Sequence, residues 1–107
     1  MQYCIKPYIK LDNSIYHNKY DTLITEIMAM SIEELNEVIS GIENVFAGIW
    51  ELNSFTGQHM TSVSYDKEKA VISYFDDVIG EESTMEIYNM LKEYRDKLSN
   101  YENKKFN

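Results

Sequence analysis

Asp76 and Asp77, and again Glu81 and Glu82, are neighbouring carboxylates, the groups that general acid-base chemistry uses when two environments separate their proton affinities. They could do this work only if one member of a pair were partly buried, and exposed adjacent acids are the commoner case. They therefore read as a surface offered to a partner, or as a solvated linker, ahead of a catalytic dyad. His17 and His59 are far apart, and neither has a second histidine or a cysteine at metal-ligand spacing. His59 could in principle join a serine and a carboxylate, yet no G-x-S-x-G elbow surrounds any serine. Gly41, Gly48, Gly57 and Gly80 are too dispersed to cradle a phosphate. Cys4 is the single cysteine, which excludes an internal disulfide and a C-x-x-C pair and reads as a small half-buried hydrophobe. These readings predict no catalytic residue, no metal site and no cofactor.

What the chain does have is gathered negative charge. Its 107 residues carry a formal net charge of −8. Between Lys19 and Lys67 there is no lysine or arginine, while Asp21, Glu26, Glu33, Glu34, Glu37, Glu43, Glu51 and Asp66 all fall inside that interval. A field concentrated in this way suits a basic protein partner. Direct binding of DNA or RNA is disfavoured, because phosphate recognition needs clustered cations. Here Lys92, Arg95 and Lys97 instead alternate with Glu93 and Asp96, as intrahelical pairs do.

The elements that must position these acids follow from the apolar spacing. With 44% hydrophobic and 13% aromatic residues, a chain of this length is expected to fold as one domain spanning 1–107. Tyr3, Ile5, Ile9 and Leu11 alternate with polar residues around Pro7, the pattern of an edge strand or extended arm. From Ser14, the residues Tyr16, Tyr20, Leu23, Ile24, Ile27 and Met28 recur at helical intervals. Ser31 and Glu34 form an S-x-x-E capping box that opens a second helix with the stripe Leu35, Val38, Ile39, Ile42, Val45 and Phe46. Gly48 is its expected stop, and the segment from Trp50 to His59 reads as a loop with room for a short strand.

Met60 to Tyr65 and Ala70 to Phe75 are β-rich runs on either side of Asp66, Lys67, Glu68 and Lys69, which predicts a hairpin. Asp76 to Glu82 reads as an acidic linker. Ser83 with Glu86 makes a second capping box, and Ile87, Leu91, Tyr94, Leu98 and Tyr101 mark a long closing helix before a polar tail from Asn103. The expected fold is α+β: two N-terminal helices, a small antiparallel β-hairpin or three-stranded sheet, and a long C-terminal amphipathic helix. A leader-like N-terminus and an apolar run of spanning length are both missing from the pattern, so a cytoplasmic location without membrane contact is expected.

The segment Val45 to Leu98 joins an aromatic-bearing helix end, a hairpin with a charged turn, an acidic linker and a closing helix with Tyr94 and Leu98 four positions apart. In this it resembles immunity proteins of bacterial polymorphic toxin systems, including contact-dependent growth inhibition. Lys97 occupies a place where those helices often carry a second aromatic. The resemblance implies a small acidic protein that acts in the cytoplasm without enzymatic activity. Its expected role is to bind a cognate toxin domain, foremost a basic nuclease, and cover its active site or substrate groove. The expected contacts are Asp66, Glu68, Asp76, Asp77, Glu81 and Glu82, with Tyr65, Tyr74 and Trp50 as apolar anchors and the two tyrosines on the outer face of the hairpin. An alternative is an acidic adaptor or nucleic-acid mimic that inhibits a host nuclease.

Overall fold

The computed structural model describes residues 21–105. The expected N-terminal strand or arm, Cys4 and His17 lie outside them. Within them the order is helix α1 (Asp21–Met28), helix α2 (Ile32–Phe46), strands β1 (Asn53–Thr56), β2 (Thr61–Tyr65), β3 (Lys69–Tyr74) and β4 (Asp77–Ser83), and helix α3 (Thr84–Lys105). The class is α+β, as the apolar spacing predicts, but the sheet has four strands rather than two or three, in the antiparallel order β1-β2-β3-β4.

Local chemistry explains the helix starts. The Ser31 hydroxyl accepts from the Glu34 amide at 3.1 Å while the Glu34 carboxylate accepts from the Ser31 amide, so two free donors at the head of α2 are satisfied. At α3 the Ser83 hydroxyl accepts from the Glu86 amide at 3.1 Å. α2 ends where expected: Gly48 takes a left-handed conformation, φ 80°, two residues after the last helical residue. α3 runs to Lys105 and does not stop at Asn103.

The sheet buries one face. Val63, Ala70 and Ile72 point inward with Tyr65 and pack against Leu23, Ile27, Leu35, Ile39, Ile42, Ile87, Leu91, Tyr94 and Leu98 from the three helices. The opposite face is rich in hydroxyls, with Ser54, Thr56, Ser62, Ser64 and Ser73 on it and Thr56 Oγ1 within 2.9 Å of Ser62 Oγ. Gly41 allows α2 to approach the sheet closely, since a Cβ there would stand 2.7 Å from Asn53 Nδ2 and 3.0 Å from the Tyr65 hydroxyl. The two long helices are antiparallel, with Tyr88 of α3 meeting Phe46 edge to face at 5.3 Å and Arg95 reaching Asn36 at 3.1 Å.

The acidic stretch after β3 is the main departure from expectation. It is the edge strand β4, joined to β3 by a two-residue turn at Phe75 and Asp76, and not a linker. Val78 and Ile79 are its only strong strand formers, and Ile79 is the extra residue of a bulge opposite the Ile72–Ser73 step. Charged residues on an exposed edge also discourage pairing with a second sheet.

Candidate functional site

The four strands separate the predicted contacts into two ends of the sheet. The β2–β3 turn, with Asp66 and Glu68, lies at one end, while the β3–β4 turn, with Asp76 and Asp77, lies at the other. Six residues of β3 intervene, about 20 Å of extended chain. The expected single acidic face is therefore two separate acidic ends.

At the first end, a cleft is lined by Val45, Gly48, Trp50, Glu51, Asp66, Lys67 and Glu68, so three of the predicted residues do come together. Trp50 is 46% exposed, flanked by exposed Ile49 and Leu52. Asp66 has a conformational task here. Its Oδ1 accepts from the amides of Lys69 and Glu68, both at 2.7 Å, and these bonds, with help from the Lys69 charge, hold its carboxyl below the usual carboxylate range. The same turn is tied to α3, because the buried Thr84 donates from Oγ1 to the Asp66 carbonyl at 2.8 Å and from its amide to the Glu68 carbonyl at 3.1 Å.

A carboxyl depressed in the folded state adds stability that is complete above its unfolded value and is lost as pH falls through the folded value. Acidification through the folded value should thus loosen this turn. In Asp66→Ala the amides of Glu68 and Lys69 are expected to be less protected from exchange than in the wild type at neutral pH, and their protection should not fall further on acidification, whereas that of the wild type should. Equal exchange in both proteins at neutral pH would show that the cap does not hold the turn.

Tyr65 is not an outer-face anchor. It is 3% exposed on the inner face, where its hydroxyl accepts from Asn53 Nδ2 at 2.9 Å, and burial raises its phenol above the ordinary value. The alternation of side chains along β2 decides this, since Tyr65 shares its face with Val63. Glu81 and Glu82 also part company. Glu82 pairs with Ala70 on the helix-covered side and is half-buried, whereas Glu81 pairs with Val71 on the open face and meets Lys69 Nζ at 3.5 Å. His59 is exposed in the β1–β2 turn.

The second end has the more unusual surface. Phe75 and Asp76 both have positive φ, 49° and 71°, in the two-residue turn. That geometry favours Asn-Gly and strains a bulky side chain. Phe75 is nevertheless 56% exposed, its ring edge to face with Tyr74 at 4.6 Å. Val78, Ile79 and Met60 extend this exposed apolar group, and Met60 is itself left-handed at φ 69°, its carbonyl accepting from the Phe75 amide at 3.2 Å. Tyr74, Asp76 and Asp77 are thus brought together with apolar neighbours the sequence reading did not single out. Two adjacent aromatics, Tyr74 and Phe75, leading into a two-residue turn were the available signal for them.

Beside this tip, the Gly57 carbonyl accepts from the Met60 amide at 3.2 Å, which links it to a cleft between α1, α2 and the β1–β2 turn. Glu26, Glu34 and Glu37 line that cleft. Glu26 is 1% exposed, and its Oε1 accepts from the Thr61 amide at 3.1 Å. Its Oε2 is shut from water with no hydrogen-bond partner among the described residues. Leaving a buried polar atom unsatisfied costs about 1–3 kcal/mol. Sequence periodicity places Glu26 between Leu23 and Ile27 on α1, and a charged residue on the apolar stripe was the clue to it.

Among the described residues no three histidine, cysteine, aspartate or glutamate side chains are placed to hold a metal ion, and no helix is long and apolar enough to cross a membrane. Compared with protein-family models, with curated proteins and with solved structures, the chain matches none.

Proposed function

We propose that this chain is a non-enzymatic cytoplasmic binding protein that neutralises a cognate toxin domain, a basic protein of the nuclease class, by covering its active site or substrate groove. One observation carries the reading: at the β3–β4 tip, Tyr74 and Phe75 stand exposed beside Asp76 and Asp77, with Phe75 and Asp76 on left-handed backbone. Exposed large aromatics at a tight turn are suited to the centre of a protein interface, and ordinary folding gives no reason to hold phenylalanine in that conformation. Carboxylates around such anchors accelerate encounter with a cationic partner, up to about 10⁸–10⁹ M⁻¹s⁻¹ at low salt. A contact of roughly 800 Å² per partner suffices for stable binding.

The centre of the reading therefore moves from a broad acidic face to the tip formed by Tyr74, Phe75, Asp76 and Asp77. Trp50, Asp66 and Glu68 form a second acidic cleft at the far end of the sheet.

The test is genetic and biochemical together. Expressing the protein encoded beside this gene should arrest growth, and co-expression of this chain should restore it, with the two proteins copurifying. The association rate should fall steeply as salt rises. Growth arrest that this chain does not relieve, or an association rate indifferent to salt, would remove the proposal.

A further inference from the structure

Glu26 stands on the apolar stripe of α1 between Leu23 and Ile27 and is 1% exposed. Packing at such a position is served as well by leucine, which has nearly the same volume. What leucine lacks is an acceptor, and Glu26 Oε1 accepts from the Thr61 amide at 3.1 Å. Thr61 is buried too, where an amide without a partner would be strongly destabilising. Its Oγ1 donates to the Thr22 carbonyl at 3.3 Å, so this end of β2 is tied twice to α1. Glu26 Oε2 is shut against Gly57 with no hydrogen-bond partner among the described residues and gains nothing from burial, so the advantage of a carboxylate here lies in its first oxygen.

The Thr61 amide belongs to the same planar peptide unit as the Met60 carbonyl, and that carbonyl accepts from the Phe75 amide at 3.2 Å. One rigid plane is thus gripped from both sides, by Glu26 beneath α1 and by Phe75 at the tip. Because N–H and C=O point in opposite directions from the plane's axis, turning it disturbs both bonds at once. Met60 at φ 69°, Phe75 at 49° and Asp76 at 71° are all left-handed. Residues other than glycine stay in such conformations where the surrounding structure over-determines them. The grip of Glu26 supplies that constraint from inside the protein, and hydrogen bonds in series strengthen one another. Gly57 makes room for it: a Cβ there would overlap the Glu26 carboxylate, and the Gly57 amide donates to the Thr61 carbonyl at 3.0 Å.

We infer that Glu26 is a positioning residue for the Phe75 tip, fixing the plane of the Met60–Thr61 peptide so that the Met60 carbonyl holds the Phe75 amide and presents the ring to the partner. This rests on the proposed function, in which the tip is the contact surface. Glu26 itself touches no partner atom and acts only through that peptide.

Amide hydrogen exchange of the full chain, followed by solution NMR, tests the relay without a partner. In Glu26→Leu the Phe75 amide should lose at least about tenfold in protection beyond any change at the core residue Leu91, the loss expected for one released hydrogen bond. Glu26→Gln keeps an acceptor for the Thr61 amide and should hold Phe75 within about threefold of the wild type. Gly57→Ala retains the glutamate but pushes its carboxylate off the Thr61 amide, so it should reproduce the leucine result and serves as the reading if Glu26→Leu does not fold. The protein encoded beside this gene should then dissociate at least about tenfold faster from Glu26→Leu or Gly57→Ala than from Glu26→Gln. Phe75 protection that falls only in step with Leu91, as a purely structural glutamate would give, overturns the inference. So does a released Phe75 with an unchanged dissociation rate. Selective release of Phe75 in a chain that relieves no growth arrest would sink the proposed function and leave the link from Glu26 to the tip standing.

Discussion

Tyr94→Ala is expected to lower stability by about 3–5 kcal/mol, the range for deleting a large buried aromatic. Tyr94 is fully buried in α3 and is among the largest side chains in the core. Its ring fills the space between α3 and α1, and its hydroxyl points at the Met28 carbonyl at 3.4 Å. At that length the hydrogen bond is weak, so Tyr94→Phe should cost no more than about 1 kcal/mol. Urea denaturation of the two variants separates packing from hydrogen bonding. An alanine variant within about 1 kcal/mol of the phenylalanine variant would mean that the core collapses around the missing ring.

Burial also raises the Tyr94 phenol, as it does that of Tyr65, where the Asn53 hydrogen bond partly offsets it. The Tyr88 phenol is raised chiefly by its hydrogen bond to Glu43, at 2.7 Å. A phenol raised in the folded state adds stability that is complete below its unfolded value, near pH 10, and is lost as pH climbs through the folded value. Alkaline unfolding should accordingly steepen above about pH 10 and be less steep in Tyr94→Phe.

Replacing Phe75 by asparagine and Asp76 by glycine is expected to raise stability and, on the proposed function, to weaken binding of the partner in the same protein. A left-handed conformation costs an ordinary residue about 1–2 kcal/mol, and Asn-Gly is the pair this turn geometry favours. The melting temperature should therefore rise by about 4–8 °C, the shift that roughly 1 kcal/mol produces in a small domain. Affinity for the proposed toxin partner should fall about 30-fold or more, because truncating an aromatic at the centre of an interface typically costs at least about 2 kcal/mol. The opposite signs are informative, since strain retained at an exposed turn points to a use for the strained side chain. A stabilised double variant that binds as tightly as the wild type would take the tip out of the interface.

Much of the architecture was legible because periodicity and caps report local physics. Ser31 and Glu34 announce the head of α2, and the stripe from Leu35 to Phe46 is its buried face. The β2–β3 hairpin follows from two β-rich runs around a polar turn. β4 was not legible, because an edge strand is held by hydrogen bonds to its neighbour, and Asp77–Ser83 contains too few strand formers to announce itself. β1 was foreshadowed only as room for a short strand.

The sequence by itself determined that the chain would be an acidic α+β domain with a helix-covered sheet, for net charge, apolar spacing and capping pairs are properties of neighbouring residues. Only the tertiary structure decided which acids stand together. It sent Tyr65 inward, divided Asp66 and Glu68 from Asp76 and Asp77 by the length of β3, and closed Glu26 beneath Gly57. The physical reason is that strand register alternates side chains between faces and antiparallel turns alternate between ends, so residues close in sequence are separated by pairings that no local pattern contains.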